Sequence, residues 1–134
     1  MSTRLRLAYI AGKYQGKTHD WRSYREIDAY IHLARDAAIE VWQNGHAAFC
    51  PHMNTEHFEI FTSDVPIGNW YEGDLRILNI CDAVILLSNW RESRGAVMEK
   101  KYAESKGIPV FESVGAFLTW AARAPKLGEL DSIK

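Results

Sequence analysis

Helices laid on both faces of a parallel β-sheet are predicted by three observations. Short apolar runs end at glycine or proline, longer stretches with apolar residues at helical spacing lie between them, and the two alternate along the chain. Runs that are apolar throughout are strands buried on both faces, as in parallel sheets. The predicted fold class is therefore α/β, a three-layer α/β/α sandwich with a flavodoxin- or Rossmann-like parallel sheet of four to five strands.

The first strand is LRLAYIA, Leu5 to Ala11, closed by Gly12. Ser23 with Glu26 matches a capping box, after which Ile27, Tyr30, Ile31, Ala34, Ala38, Val41 and Trp42 recur at helical spacing. Asn44-Gly45 supplies the stop for this helix. Ala47 to Cys50, ended by Pro51, reads as the second strand, Ala83 to Ser88 as the third and Ile108 to Phe111 as the fourth. Between the second and third strands, Trp70, Asp74, Ile77, Leu78 and Cys81 share one helical face. After the third strand, Ala96, Glu99 and Ala103 do the same up to Gly107. Right-handed crossovers with the helices divided between the faces make the first and third strands neighbours where the winding reverses. A crevice then opens beyond their carboxyl ends, lined by the loops after Gly12 and after Ser88.

The chain of 134 residues is 47% hydrophobic and 25% charged, which predicts one globular domain, residues 1–122, followed by a loose tail, residues 123–134. Sixteen Lys and Arg against 17 Asp and Glu leave a formal net charge of -1, so there is no electrostatic case for general nucleic-acid binding. Apolar runs such as Ala83 to Leu87 fall far short of the roughly 18 residues of a membrane span. The polar opening MSTRLR is not a signal peptide, and the expected location is cytoplasmic. Cys50 and Cys81 read as small buried hydrophobes rather than as a bridge.

Two acids lie on inward helical faces. Glu99 falls about one turn into a helix beginning near Gly95, where the positive helix end favours an ionised carboxylate, as a nucleophile or a stabiliser of cationic charge requires. A first-turn acid that only complements the dipole is the competing reading. Asp74 interrupts an apolar stripe, and because an unpaired buried carboxylate costs several kcal/mol, it requires a partner or a ligand. A hydrogen bond to a neighbouring loop would equally serve. Asp82, before the third strand, is an unremarkable turn acid.

The loop GKYQGKTHDW, Gly12 to Trp21, offers amides and lysines to an anion, although it is neither a GxGxxG nor a Walker sequence and a solvated loop is the default. Asn89 to Gly95 ends at the start of the Glu99 helix, where Ser93 or an open amide beside Arg94 suits a phosphate, or Ser93 serves as a plain N-cap. His46, Cys50, His52 and His57 are zinc-type ligands, but His46 and Cys50 are four apart on a strand, about 13 Å, too far to share one ion without a bend. No metal and no cofactor is expected. A Cys-His dyad lacks an evident oxyanion hole or orienting acid. His52 and Asn54 fit the pocket rim. Trp21, Trp70 and Trp90 suit stacking on a planar ligand or ordinary core packing.

Taken together, Tyr9-Ile10-Ala11-Gly12, Cys50-Pro51-His52, Trp70 to Leu75 (WYEGDL), Ser93 to Glu99 (SRGAVME), Ala103 and Gly107-Ile108-Pro109-Val110 resemble the nucleoside 2-deoxyribosyltransferase superfamily, most closely its short phage and bacterial branch. The resemblance spans about Leu5 to Phe111. It implies that Glu99 attacks the anomeric carbon of a nucleoside while Asp74 and Tyr9 support it and the base leaves. Six residues before the nucleophile, the transferases carry an acid, whereas the nucleoside 5′-monophosphate N-glycosidases carry a phosphate-contacting Ser. Here Ser93 occupies that position, which implies a monophosphate substrate and water as acceptor, with Arg94, Gly95 and Lys13 at the phosphate. Gly12, His52, Asn54 and Trp70 complete the implied substrate site. Lys101 stands where the family usually has Gly, and KYQGKTHDW replaces the glycine-rich opening loop of the monophosphate hydrolases.

The resemblance further implies a homodimer or larger homo-oligomer, for which Ala116 to Trp120 (AFLTW) reads as an exposed contact surface. Two functions of different kind follow: an N-glycosidase or deoxyribosyltransferase, and a non-catalytic module that holds a nucleotide in the same crevice.

Overall fold

The computed structural model describes residues 5–14, 24–62 and 64–123. Its 4-stranded sheet is parallel throughout, with strands β1 (Leu7–Ala11), β2 (Ala47–Phe49), β3 (Ala83–Leu86) and β4 (Val110–Phe111) in the order β2-β1-β3-β4. The helices are α1 (Tyr24–Gln43), α2 (Pro51–Asn54), α3 (Phe58–Phe61), α4 (Ile67–Leu78), α5 (Arg94–Ser105) and α6 (Val114–Arg123), with a short 3-10 turn at Trp90–Glu92 before α5.

The sheet separates two apolar cores. On one face Ala8, Ile10 and Ile85 meet Ala34, Ala38 and Val41 of α1 and Phe117 and Ala121 of α6. On the other, Tyr9, Ala11, Val84 and Leu86 meet Leu78 of α4 and Ala96 and Ala103 of α5. This is the three-layer α/β/α architecture expected. β1 leads toward α1 on one face and β3 toward α5 on the other, so the two loops part at the carboxyl end of the β1–β3 pair.

Both long crossover helices end as the sequence indicates. Gly45, at φ 88°, and Gly107, at φ 73°, take the left-handed conformation. In each the paired terminal bonds of a Schellman motif form, His46 N–H to Val41 O (3.2 Å) with Gly45 N–H to Trp42 O (3.2 Å), and Ile108 N–H to Ala103 O (2.9 Å) with Gly107 N–H to Glu104 O (3.2 Å). The start of α1 is only partly visible, because the capping residue Ser23 lies outside the described residues.

The structure differs from expectation at three places. Between β2 and α4 the chain forms α2 and α3, single turns too short to show periodicity; Pro51 at the first position of α2 was their one sequence signal. Ala116 to Trp120 is not wholly a free surface, because it forms half of α6 and Phe117 within it is fully buried. Ser113 starts that helix, its Oγ accepting the Ala116 N–H at 3.0 Å. Trp42, by contrast, points away from the core and is 58% exposed. Of the expected tail, residues 123–134, Arg123 instead closes α6, and residues 124–134 lie outside the described residues. No helix among the described residues is long and apolar enough to cross a membrane.

Candidate active site

Tyr9 is fully buried in the centre of β1, and the alternation of the strand sends it to the α4 and α5 face. Ala96, Glu99 and Ala103 are the buried residues of α5, spaced as one helical face, so Glu99 is turned onto the same strand. The Tyr9 hydroxyl donates a hydrogen bond to Oε2 of Glu99. Asp74, half-buried on α4, lies close enough for its charge to act on both Glu99 and Tyr9. The expected hydrogen bond from Asp74 to a neighbouring loop is not made among the described residues. Two carboxyl groups and a phenol from three separate elements therefore share one interior site beside the β1–β3 switch point.

Electrostatics there follow burial. Desolvation dominates at Glu99 and Asp74 raises its pKa further, while the Tyr9 hydrogen bond pulls it down; the balance is a pKa of about 8. Asp74 is pushed up by desolvation to about 6. Tyr9 is driven well above the usual phenol value, first by burial and then by the charge of Glu99. The expectation that the helix end keeps Glu99 ionised is thus corrected. α5 begins at Arg94, which puts Glu99 in the second turn, past the reach of the free amides. At neutral pH the resting group is mostly protonated.

The loop after β1 is built for close approach. A Cβ at Gly12 would fall 2.5 Å from Cδ1 and 2.8 Å from Cβ of Leu87, so only glycine lets this loop cross the end of β3. Gly12→Ala is expected to cost about 1–3 kcal/mol of stability, as overpacking does, read as a lowered denaturation midpoint. One residue further on, Lys13 ties together the loops beyond three strands. Its N–H donates to Asn89 Oδ1 (2.9 Å), its carbonyl meets His52 Nε2 (2.8 Å) and its Nζ pairs with Glu92 Oε1 (3.2 Å). His52 is accordingly a buried brace, not a rim residue, and burial keeps its pKa low, so the neutral ring donates to Lys13 O.

Ser93 is the N-cap of α5, its Oγ accepting the Ala96 N–H at 3.0 Å. Arg94 is exposed beside it and makes no ion pair among the described residues. Gly95 has no steric reason to be glycine, since a Cβ there would meet Tyr71 Cε1 at an ordinary 3.7 Å. Gly95→Ala is expected to leave stability level or raise it by up to about 1 kcal/mol. A ligand seated on the α5 amides would turn the same change into a raised KM, and kinetics beside a thermal melt separate the two.

Of the aromatic candidates, Trp70 packs on Phe58, with ring centroids 6.2 Å apart. Trp90 is covered by the Arg91 guanidinium at 4.6 Å and the Lys100 ammonium at 5.5 Å. Trp21 and residues 15–21 of its loop lie outside the described residues. Asn54 is exposed at the end of α2, away from any bond of the Tyr9–Glu99–Asp74 group. The four zinc-type residues are dispersed: His46 Nδ1 accepts the Arg6 N–H (3.0 Å), His52 braces Lys13 and His57 pairs with Asp28 (2.7 Å), while Cys50 is buried as a protonated thiol. Sequence reasoning missed Glu92 and Asn89 as partners of Lys13, which are 79 and 76 residues away and carry no local signal.

The fold is a parallel α/β sheet, with Glu99 buried and Asp74 half-buried near its switch point. The chain belongs to the family described as DUF4406, a domain of unknown function, whose model matches residues 6–112. Among curated proteins, none matches it in sequence. The solved structure of a 2-deoxyribosyltransferase from the psychrotolerant bacterium Bacillus psychrosaccharolyticus overlaps with it at a TM-score of 0.45 and 19% identity, over 78% of this chain and 69% of that one. An overlap of that degree says nothing about chemistry, which rests on this chain's own residues.

Proposed function

We propose that the protein cleaves the N-glycosidic bond of a nucleoside or a nucleoside 5′-monophosphate, releasing the base to water or passing the sugar to a second base. The observation that carries this reading is the buried Glu99, oriented by the Tyr9 hydroxyl and coupled to Asp74. Loss of the base leaves oxocarbenium character on the sugar, and a fixed carboxylate beneath the ring stabilises it or bonds to it. In the covalent course a Glu99 oxygen bonds to the anomeric carbon as the carbon–nitrogen bond breaks and its electrons leave with the base. Asp74, with a pKa lifted to about 6, supplies the proton the base requires. Water, or a second base, then attacks the anomeric carbon, gives its proton to the Asp74 carboxylate and frees Glu99. Tyr9 is a positioning residue that fixes the carboxylate rotamer.

The test is a panel of ribo- and deoxyribonucleosides and their 5′-monophosphates, with and without a second free base, followed by chromatography of the released base. Release without an added base marks a hydrolase, and exchange only in its presence marks a transferase. A second reading, a nucleotide-binding module, draws on the mostly protonated resting state of Glu99, which suits a hydrogen-bond donor to a bound ligand. Tight binding with no turnover of any panel member would establish that reading instead. Light scattering at micromolar concentration tests the expected homo-oligomer.

A further inference from the structure

Lys13 is 7% exposed, and a buried ammonium requires a counter-charge. Its ion-pair partner is Glu92 at 3.2 Å, and the Tyr30 ring lies 5.7 Å away. The two halves of this pair are unequally held. The Lys13 main chain is clamped on both sides, by Asn89 and by His52, and its side chain is buried at the junction of the loops. Glu92 sits on the single turn Trp90–Glu92 with its side chain 68% exposed, where solvent screening and rotamer freedom make its hold weak. A fixed buried cation closed by a loose exposed carboxylate is an anion seat with an occupant supplied by the chain. Ser93 and Arg94, which makes no ion pair among the described residues, follow Glu92 directly, so the seat adjoins the start of α5.

We propose that Glu92 is a specificity-determining residue that competes with a substrate phosphate for Lys13. A phosphate monoester gains the Lys13 ammonium only by displacing the Glu92 carboxylate, whereas an unphosphorylated nucleoside leaves the pair intact. The substrate class named here rests on the glycosidic reading above, and the anion seat itself does not. Negative charge placed against the wrong ligand is a common source of discrimination.

The experiment is a titration of Glu92→Gln and wild-type protein with inorganic phosphate, followed by calorimetry, beside the turnover panel. Glu92 is exposed, so the variant folds, and a thermal melt verifies it. Glu92→Gln is expected to bind phosphate about twofold to fivefold more tightly than wild type, the size of a released exposed ion pair. Its kcat/KM ratio for 5′-monophosphate over nucleoside rises by the same factor. Adding Lys13→Met is expected to remove the gain. No gain in Glu92→Gln, or a gain that survives Lys13→Met, overturns the proposal. A gain in phosphate binding without turnover of any panel member keeps the anion seat and rejects the glycosidic reading.

Discussion

Glu99→Gln is expected to lower base release by roughly a thousandfold or more while making the protein more stable, and the two effects share one cause. A nucleophilic or charge-stabilising carboxylate has no substitute once its oxygen anion is gone, and losses of this size are usual when such a group is removed. The stability gain comes from the raised pKa. In the unfolded chain Glu99 ionises near 4.5, and in the folded one near 8. Between those values the folded state holds a proton that the unfolded state releases, so its contribution is fully present below pH 4.5 and is lost as pH rises toward 8. A shift of that size corresponds to a few kcal/mol by pH 8. Glutamine keeps the shape and accepts the Tyr9 hydroxyl bond without this penalty. Denaturant melts of both proteins at pH 5 and pH 8 should show a difference that grows with pH. A Glu99→Gln enzyme that still turns over, or one less stable at pH 8 than wild type, would remove Glu99 from its role.

The pH dependence of kcat/KM is expected to be bell-shaped, with limbs near 6 and 8, and Asp74→Asn should convert it to a curve that only rises with pH. Between those limbs the carboxyl pair holds one proton, which resides mainly on Glu99. The productive arrangement is the tautomer with the proton on Asp74 and the charge on Glu99. Both forms carry the same total charge, so the rate follows the singly protonated pair and falls about tenfold per unit beyond either limb. Asp74→Asn removes the acid and the alkaline limb with it, and it also removes the negative charge that raises Glu99, so the remaining limb moves to lower pH. Tyr9→Phe acts oppositely on Glu99, whose pKa loses its one lowering influence and climbs. A profile of Asp74→Asn that keeps its alkaline fall would exclude Asp74 as the proton donor.

Much of this arrangement is legible in the sequence because it depends on periodicity and on end signals. LRLAYIA and AVILLS announce buried strands, and the positions of Ala96, Glu99 and Ala103 place an acid on an inward face before any coordinates exist. The pairing of Glu99 with Tyr9 adds only that the sheet faces that helix. Protonation was not legible, since it depends on how completely Glu99 is desolvated and on a neighbouring charge from a different helix. The burial of Lys13 was equally hidden. Read locally, a lysine just after a strand and next to Tyr14 is a solvated loop cation; its burial arises only when turns separated by most of the chain close over it. The helix Val114–Arg123 was legible in principle, through Ser113 and the spacing of Val114, Phe117 and Ala121, but an apolar stretch near the end of the chain reads as readily as a surface patch.

The strand order has a consequence for how the chain is made. β1 is synthesised first yet lies in the interior of the sheet, between β2 and β3, where its residues from Ala8 to Ala11 await partners running to Leu86. At a translation rate of roughly 5–20 residues per second, several seconds pass between the two. Throughout that interval a wholly apolar strand is outside the ribosome with one edge unfilled. The long helix α1, which forms locally and covers one face of β1, is then its main protection, and weakening the inner face of α1 should reduce soluble yield during synthesis far more than it lowers the stability of the finished protein.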